Sequence, residues 1–206
     1  MSSFLLSLLI GYVLGSIPTA HLVVRRARGV DIRNAGSGNV GALNSYLVTR
    51  SPFVGAVVLL FDVLKGFAAV ELSRAIFGGL YAAAAGAGIG AVLGHNFPVW
   101  LKGQGGRGLS TAAGAMLSID PVVVPLWMLC WGAGYAVVKE VNVGSAIACC
   151  LAPAIMSFLP DGVWNFMVPP QVSRWSAQLF IIATMVVILT KLVGPVKEYL
   201  TLHRRL

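Results

Sequence analysis

Phe4-Leu-Leu-Ser-Leu-Leu-Ile-Gly-Tyr-Val-Leu-Gly-Ser-Ile-Pro-Thr-Ala-His-Leu-Val-Val24 is followed at once by Arg25-Arg26. The run is long enough for the roughly 20 helical residues that a hydrocarbon core demands, and no basic residue precedes it as in a cleavable leader. It therefore reads as a retained first membrane helix. Further apolar runs follow at 53–73, 78–94, 109–119, 121–138, 143–159 and 176–194. Of the 206 residues, 57% are hydrophobic and 11% charged, which excludes an ordinary soluble domain of this length. The expected fold is an all-α polytopic membrane protein with about seven transmembrane helices, some short or broken, joined by Gly-rich cytoplasmic loops. Residues 1–206 are expected to form a single integral membrane domain, without internal repeats or low-complexity tracts. The run at 78–94 is short, and that at 109–119 cannot cross perpendicularly unless the polar backbone bordering it is buried in protein. Six crossings with one re-entrant piece fit the same pattern.

A formal net charge of +8 could serve nucleic acid, but its distribution points to membrane orientation instead. With the N-terminus outside and seven crossings, the cytoplasmic stretches hold Arg25, Arg26, Arg28, Arg33, Arg50, Lys102, Arg107, Lys139, Lys191, Lys197, Arg204 and Arg205, twelve of the 15 basic residues. Only Arg74 and Arg174 fall outside, beside Glu71, Asp120 and Asp161. The unusual loops therefore face the cytoplasm. Cys130, Cys149 and Cys150 lie in apolar runs, where thiols are inert packing groups, and Trp164, Phe166 and Trp175 read as interfacial aromatic anchors.

Two polar, flexible stretches interrupt the apolar pattern. Asp31-Ile-Arg-Asn-Ala-Gly-Ser-Gly-Asn-Val-Gly-Ala-Leu-Asn44 combines Gly36, Gly38 and Gly41, whose backbone can turn left-handed and present N–H groups as a nest for an anion, with the side-chain donors Ser37, Asn39 and Asn44. A plain Gly-rich turn between helices is the alternative. Gly94-His-Asn-Phe-Pro-Val-Trp-Leu-Lys-Gly-Gln-Gly-Gly-Arg-Gly108 then leads through Leu109 and Ser110 to Thr111. A helix start preceded by Lys102 and Arg107 suits a phosphate, although a basic loop obeying the charge bias explains it too. It is not a P-loop, which follows a strand.

Within the spans, Ser16-Ile17-Pro18-Thr19 reads as a kink in which Pro18 frees a backbone group and the two hydroxyls help satisfy it. Asp62 and Lys65, three residues apart, share a helix face and can pair; ionisable groups there point to a protein interior or wet cavity. His21 has no clustered partners for a metal. Val141-Asn-Val-Gly-Ser145 opens another span, where small-residue packing is an equal explanation.

Ser16-Ile-Pro-Thr19, Gly36-Ser-Gly-Asn-Val-Gly-Ala-Leu-Asn44, Asp62-Val-Leu-Lys-Gly66 and Gly94-His-Asn-Phe-Pro98 through Gly105-Gly-Arg-Gly108, in that order, resemble the motifs of bacterial acyl-phosphate:glycerol-3-phosphate acyltransferases. The resemblance implies transfer of a fatty acyl group from acyl phosphate to the sn-1 hydroxyl of glycerol 3-phosphate, giving lysophosphatidic acid and phosphate, the first step of phospholipid synthesis. Together with the charge bias it points to a multi-pass protein of the bacterial cytoplasmic (inner) membrane, N-terminus outside, with C-terminus and active site cytoplasmic. The partners are the two substrates and membrane lipid, with no nucleic acid, no cofactor and no metal; oligomeric state stays open. The candidate catalytic residues are Ser37, His95 and Arg107. Candidates for holding substrate phosphate are Arg33, Gly36, Gly38, Asn39, Asn44, Lys65, Lys102, Gly105, Gly106, Thr111, Ser145 and His203, with Ser16, Pro18, Thr19 and Asp62 in support.

The chain departs from the family pattern in its motifs: Leu43 stands for Thr, Leu47 for the usual Arg, Arg107 for Lys and Asn142 for Ser, and the closing His-Arg-x-Asn is only begun by His203-Arg204. The His-x-x-x-x-Asp signature of other glycerolipid acyltransferases is absent, because Trp100 and Arg26 occupy the fifth places after His95 and His21. No Ser or Cys has an evident base partner, which disfavours an acyl-enzyme. Two other readings stay open: a homologue with a different acceptor or weakened activity that binds phosphorylated lipid precursors, and an organic-anion transporter.

Overall fold

The computed structural model describes residues 2–167 and 171–203, and all regular structure in them is helical. The helices are α1 (Ser2–Gly15), α2 (Thr19–Arg28), α3 (Ala42–Thr49), α4 (Pro52–Ile76), α5 (Tyr81–Asn96), α6 (Leu109–Ile119), α7 (Val123–Val138), α8 (Val141–Ser157), α9 (Asp161–Met167) and α10 (Arg174–His203). Each apolar run of the sequence has become helix. Among the described residues, those long and apolar enough to cross a membrane are the broken pair α1–α2, spanning Ser2–Arg28, together with α4 and α10. The shorter α6 has 11 residues, about 16 Å of helix, or roughly half a hydrocarbon core.

The described chain divides into two compact units, Met1–Ile119 and Asp120–Leu206. In the first, the usual burial pattern is inverted. Leu5, Leu6, Leu9 and Val13 of α1 and Leu59, Leu60 and Phe61 of α4 are exposed, while Ser7, Gly11, Gly15, Asp62, Lys65 and Ser73 of the same helices are buried. Lipid removes the solvent penalty for the outer leucines, so association falls to small residues that let backbones approach. A Cβ on Gly11 or Gly15 would run into the backbone of Ala87 or Ala91 in α5, and one on Gly86, Gly90 or Gly94 would meet the carbonyls of Phe4, Leu8 or Tyr12. The fourfold spacing on both helices makes this a continuous seam. Gly66 of α4 and Gly114 of α6 do the same against Thr111 and Val63.

In the second unit α7 and α8 approach at Gly134 and Gly144. Glu140 caps α8 by accepting the Val143 amide at 2.6 Å and the Asn142 side chain at 2.7 Å. Gln178 of α10 donates to the Pro153 carbonyl in α8 at 2.8 Å. Trp164 is a packing residue here rather than an interfacial anchor: it is 2% exposed and its indole donates to the Met156 carbonyl at 3.1 Å. Trp175 remains 80% exposed, as an anchor requires, and the Phe166 side chain lies outside the described part of the structure.

Candidate active site

The candidate site is built in the first unit, and its foundation is the break between α1 and α2. Pro18 cannot extend the hydrogen-bonding ladder, and the break is closed by side chains. Ser16 Oγ donates to the Val13 carbonyl at 2.8 Å and accepts from Trp100 Nε1 at 3.0 Å. The Ile17 carbonyl takes the Thr19 amide at 2.9 Å and the Lys65 ammonium at 3.1 Å. Lys65 pairs with Asp62 at 2.8 Å, so the expected helix-face pair forms, yet its charge is committed to the break beneath the loops. His95 of α5 completes the cluster, with Nδ1 3.6 Å from the same Asp62 Oδ1. A small pocket lined by Ser16, Pro18, Thr19, Val40, Asp62, Lys65, His95 and Pro98 lies at this junction.

Loop one departs from α2 at Gly29, whose left-handed φ of 72° ends the helix behind Arg25, Arg26 and Arg28. Asp31 then caps a short 3-10 turn, Ile32–Asn34, accepting the Arg33 amide at 3.0 Å. The Arg33 guanidinium folds back on the same carboxylate, with Nε at 3.0 Å, and His21 Nδ1 lies 3.3 Å from it. The bond from Arg33 holds the Asp31 carboxyl well below the usual carboxylate range, and Asp31 in turn raises Arg33.

Asn44 organises the remainder. It is 2% exposed; its Nδ2 donates to the carbonyls of Ala35 and Asn39 at 3.0 Å, and its Oδ1 accepts the Ser37 amide at 3.0 Å. Gly36, at φ 59°, leaves the space that Asn44 Oδ1 fills. The glycines therefore wrap the backbone around Asn44 instead of turning all amides outward: those of Ser37, Gly38 and Gly41 are spent within the loop. Polar side chains left at the surface include the exposed Asn34 and Ser37 and the half-buried Asn39.

Loop two begins where α5 ends. Tyr12 donates to the Phe97 carbonyl at 2.8 Å, and a 3-10 turn, Val99–Leu101, leads to an exposed Lys102 at φ 53°. The chain then doubles back over His95, whose carbonyl accepts the Gly106 amide at 3.1 Å. A Cβ on Gly106 would collide with His95 Nε2 and with the carbonyl of Val40, so the two Gly-rich loops meet at this residue. Gly105 is equally confined by the His95 carbonyl and Pro98. Gly108, at φ 83°, turns the chain into α6. Arg107 is half-buried beside it, and the Thr111 hydroxyl is buried with no hydrogen-bond partner among the described residues.

Ser145 and His203 belong to the second unit. Ser145 Oγ donates to the Val141 carbonyl within α8 at 2.8 Å, and the His203 side chain lies outside the described part of the structure. The sequence reading missed the links from His95 to Asp62, Trp100 to Ser16 and Tyr12 to Phe97. Each joins residues far apart in the chain, and the only available signal was the density of polar groups in otherwise apolar runs.

A helical, integral membrane protein with two Gly-rich loops closing over a buried charge cluster is the class that fold and site define. The family model described as glycerol-3-phosphate acyltransferase matches residues 5–198, and the chain belongs to that family. It is 41% identical over 155 residues to glycerol-3-phosphate acyltransferase 2 of Moorella thermoacetica, covering 75% of this chain and 78% of that one. It is 43% identical over 140 residues to glycerol-3-phosphate acyltransferase of Myxococcus xanthus, covering 68% and 72%. The crystal structure of PlsY (YgiH), an integral membrane glycerol 3-phosphate acyltransferase, in its glycerol 3-phosphate form is similar with a TM-score of 0.77 at 28% identity, over 97% of this chain and 92% of that one. The lysophosphatidic acid form of PlsY gives a TM-score of 0.74 at 27% identity, with the same coverage.

Proposed function

We propose that this glycerol-3-phosphate acyltransferase moves a fatty acyl group from acyl phosphate to the sn-1 hydroxyl of glycerol 3-phosphate, with the two Gly-rich loops holding the phosphorylated ends. The observation that carries the reading is the meeting of the loops at Gly106 and Val40, directly over His95. The sn-1 oxygen attacks the acyl carbonyl, the new ester C–O bond forms, the bond from carbonyl carbon to phosphate oxygen breaks, and inorganic phosphate leaves. An acyl phosphate is already an activated anhydride, so alignment and stabilisation of the charge developing on the carbonyl oxygen supply most of the acceleration. The hydroxyl proton goes to the departing phosphate, since phosphate titrates near neutrality and the His95 ring is packed under Gly106. His95 therefore orients loop two. Ser37 and Asn39 hydrogen-bond substrate oxygens, and Lys102 and Arg107 supply the countercharge, Arg107 as a two-pronged donor.

This division of labour predicts that Arg107→Ala lowers kcat/KM for acyl transfer by about 30- to 1,000-fold, the loss of one charged hydrogen-bonding partner in a partly dry site, while the protein stays folded in detergent. Arg107→Lys keeps the charge without the fork and should remain active with altered substrate affinity. Unchanged transfer in the folded Arg107→Ala protein would reduce loop two to a basic surface loop.

The charge bias further supports a bacterial inner-membrane protein whose loops face the cytoplasm. Gln104 is exposed on loop two, unlike the confined Gly105 and Gly106. Gln104→Cys, in a background lacking Cys130, Cys149 and Cys150, should react with an impermeant maleimide only in inverted vesicles. Labelling in right-side-out vesicles would reverse the orientation.

A further inference from the structure

We propose that Asp62 is a positioning residue that sets the separation of the two Gly-rich loops through its buried carboxylate, an inference that rests on the acyltransferase reading for its kinetic consequence. Asp62, Lys65 and His95 are 1%, 9% and 7% exposed in a unit already bound together by the glycine seams. Burying a charge cluster carries a large desolvation cost, and apolar replacements of both partners are often neutral or stabilising. Holding α4 in place does not require one. What the cluster provides is a branch point. From the Asp62 carboxylate one arm runs as an ion pair to Lys65 at 2.8 Å and on through the Lys65 ammonium to the Ile17 carbonyl at 3.1 Å, fixing the break from which α2 and loop one depart. The other faces His95, whose Nδ1 lies 3.6 Å from the carboxylate. The negative charge on that side favours the ring orientation in which the far nitrogen, Nε2, fills the space beside Gly106, where the Val40 carbonyl of loop one also approaches. The His95 carbonyl meanwhile holds the Gly106 amide at 3.1 Å. The imidazole is thus the spacer between the loops, and Asp62 fixes its angle.

The test compares wild type, Asp62→Asn and the double variant Asp62→Asn/Lys65→Met as purified full-length protein. It measures kcat and KM for glycerol 3-phosphate, thermal unfolding, and hydrogen exchange of peptides covering 102–108 and 81–94. Asp62→Asn should lower kcat about a hundredfold, the cost of an ångström-scale misplacement, with KM within about threefold. Exchange should quicken at 102–108 and stay unchanged at 81–94. The double variant removes both buried charges and should regain thermal stability, yet His95 still lacks its carboxylate. Its kcat should stay low and its loop exchange fast. If the double variant regains wild-type kcat together with stability, Asp62 and Lys65 are only a structural pair and the proposal fails. It fails equally if Asp62→Asn leaves exchange at 102–108 unchanged. Should Asp62→Asn not fold, the double variant decides alone. Wild type that makes no lysophosphatidic acid would overturn the acyltransferase reading, while the exchange comparison still tests the positioning.

Discussion

Asn44→Asp is expected to be more damaging than Asn44→Ala, although it is nearly isosteric with the native residue. The Asn44 amide donates to the carbonyls of Ala35 and Asn39 and accepts the Ser37 amide, with the Asn44 side chain itself only 2% exposed. Alanine forfeits these bonds and leaves their partners unsatisfied, about 3 kcal/mol in total at roughly 1 kcal/mol each. Aspartate keeps the bond from Ser37 but cannot donate while ionised, and it sets a buried negative charge against two carbonyl oxygens. Acyl transfer per mole of folded protein should therefore fall in the order wild type, Asn44→Ala, Asn44→Asp, with the last down by more than about a hundredfold and lowest in melting temperature. If Asn44→Asp retained more activity than Asn44→Ala, Asn44 would be acting on substrate and not as the organiser of the loop.

Gly106→Ala is expected to be nearly as severe from the addition of one methyl group. Its Cβ would overlap His95 Nε2, the tip of a buried ring, and the Val40 carbonyl, which is backbone. The His95 ring has little room to swing away, because it is buried at 7% exposure and its other ring nitrogen faces Asp62. The loops must part, and kcat/KM should fall by about a hundredfold or more while the helices stay folded. Gly103→Ala, in the same loop at φ 78° but with nothing within 4 Å of its Cβ, controls for backbone strain. It should cost only about 1 kcal/mol, or fivefold. Equal losses at the two positions would mean that loop flexibility matters and the close approach to His95 does not.

These two residues show what could be read in the sequence. Both lie in stretches that stand out by composition, because glycine clusters are conspicuous against Leu and Val, and the apolar runs become helices because membrane-spanning backbone must satisfy its own hydrogen bonds. Pro18 likewise marks its break, and Asp62 and Lys65 their pairing, since helical periodicity is local. What each loop does with its glycines was not legible. A nest and a wrapped asparagine call for the same residues, and only the position of the Asn44 side chain separates them. Lys65 looks available to substrate in the sequence, but the Ile17 carbonyl, 48 residues away, holds it. Arg33 is the more readable case, with Asp31 two residues earlier to hold it. The departures at Leu43 and Leu47 fall on an exposed side of α3, at 48% and 56% exposure, so no buried polar network was broken to accommodate them.

The most direct test supplies the purified chain in lipid nanodiscs with acyl phosphate and glycerol 3-phosphate, and quantifies lysophosphatidic acid and inorganic phosphate in the same reaction, beside a parallel with acyl coenzyme A. The expected result is equimolar release of the two products from acyl phosphate and no turnover of the coenzyme A thioester. Turnover of the thioester alone, or phosphate released without lysophosphatidic acid, would contradict it.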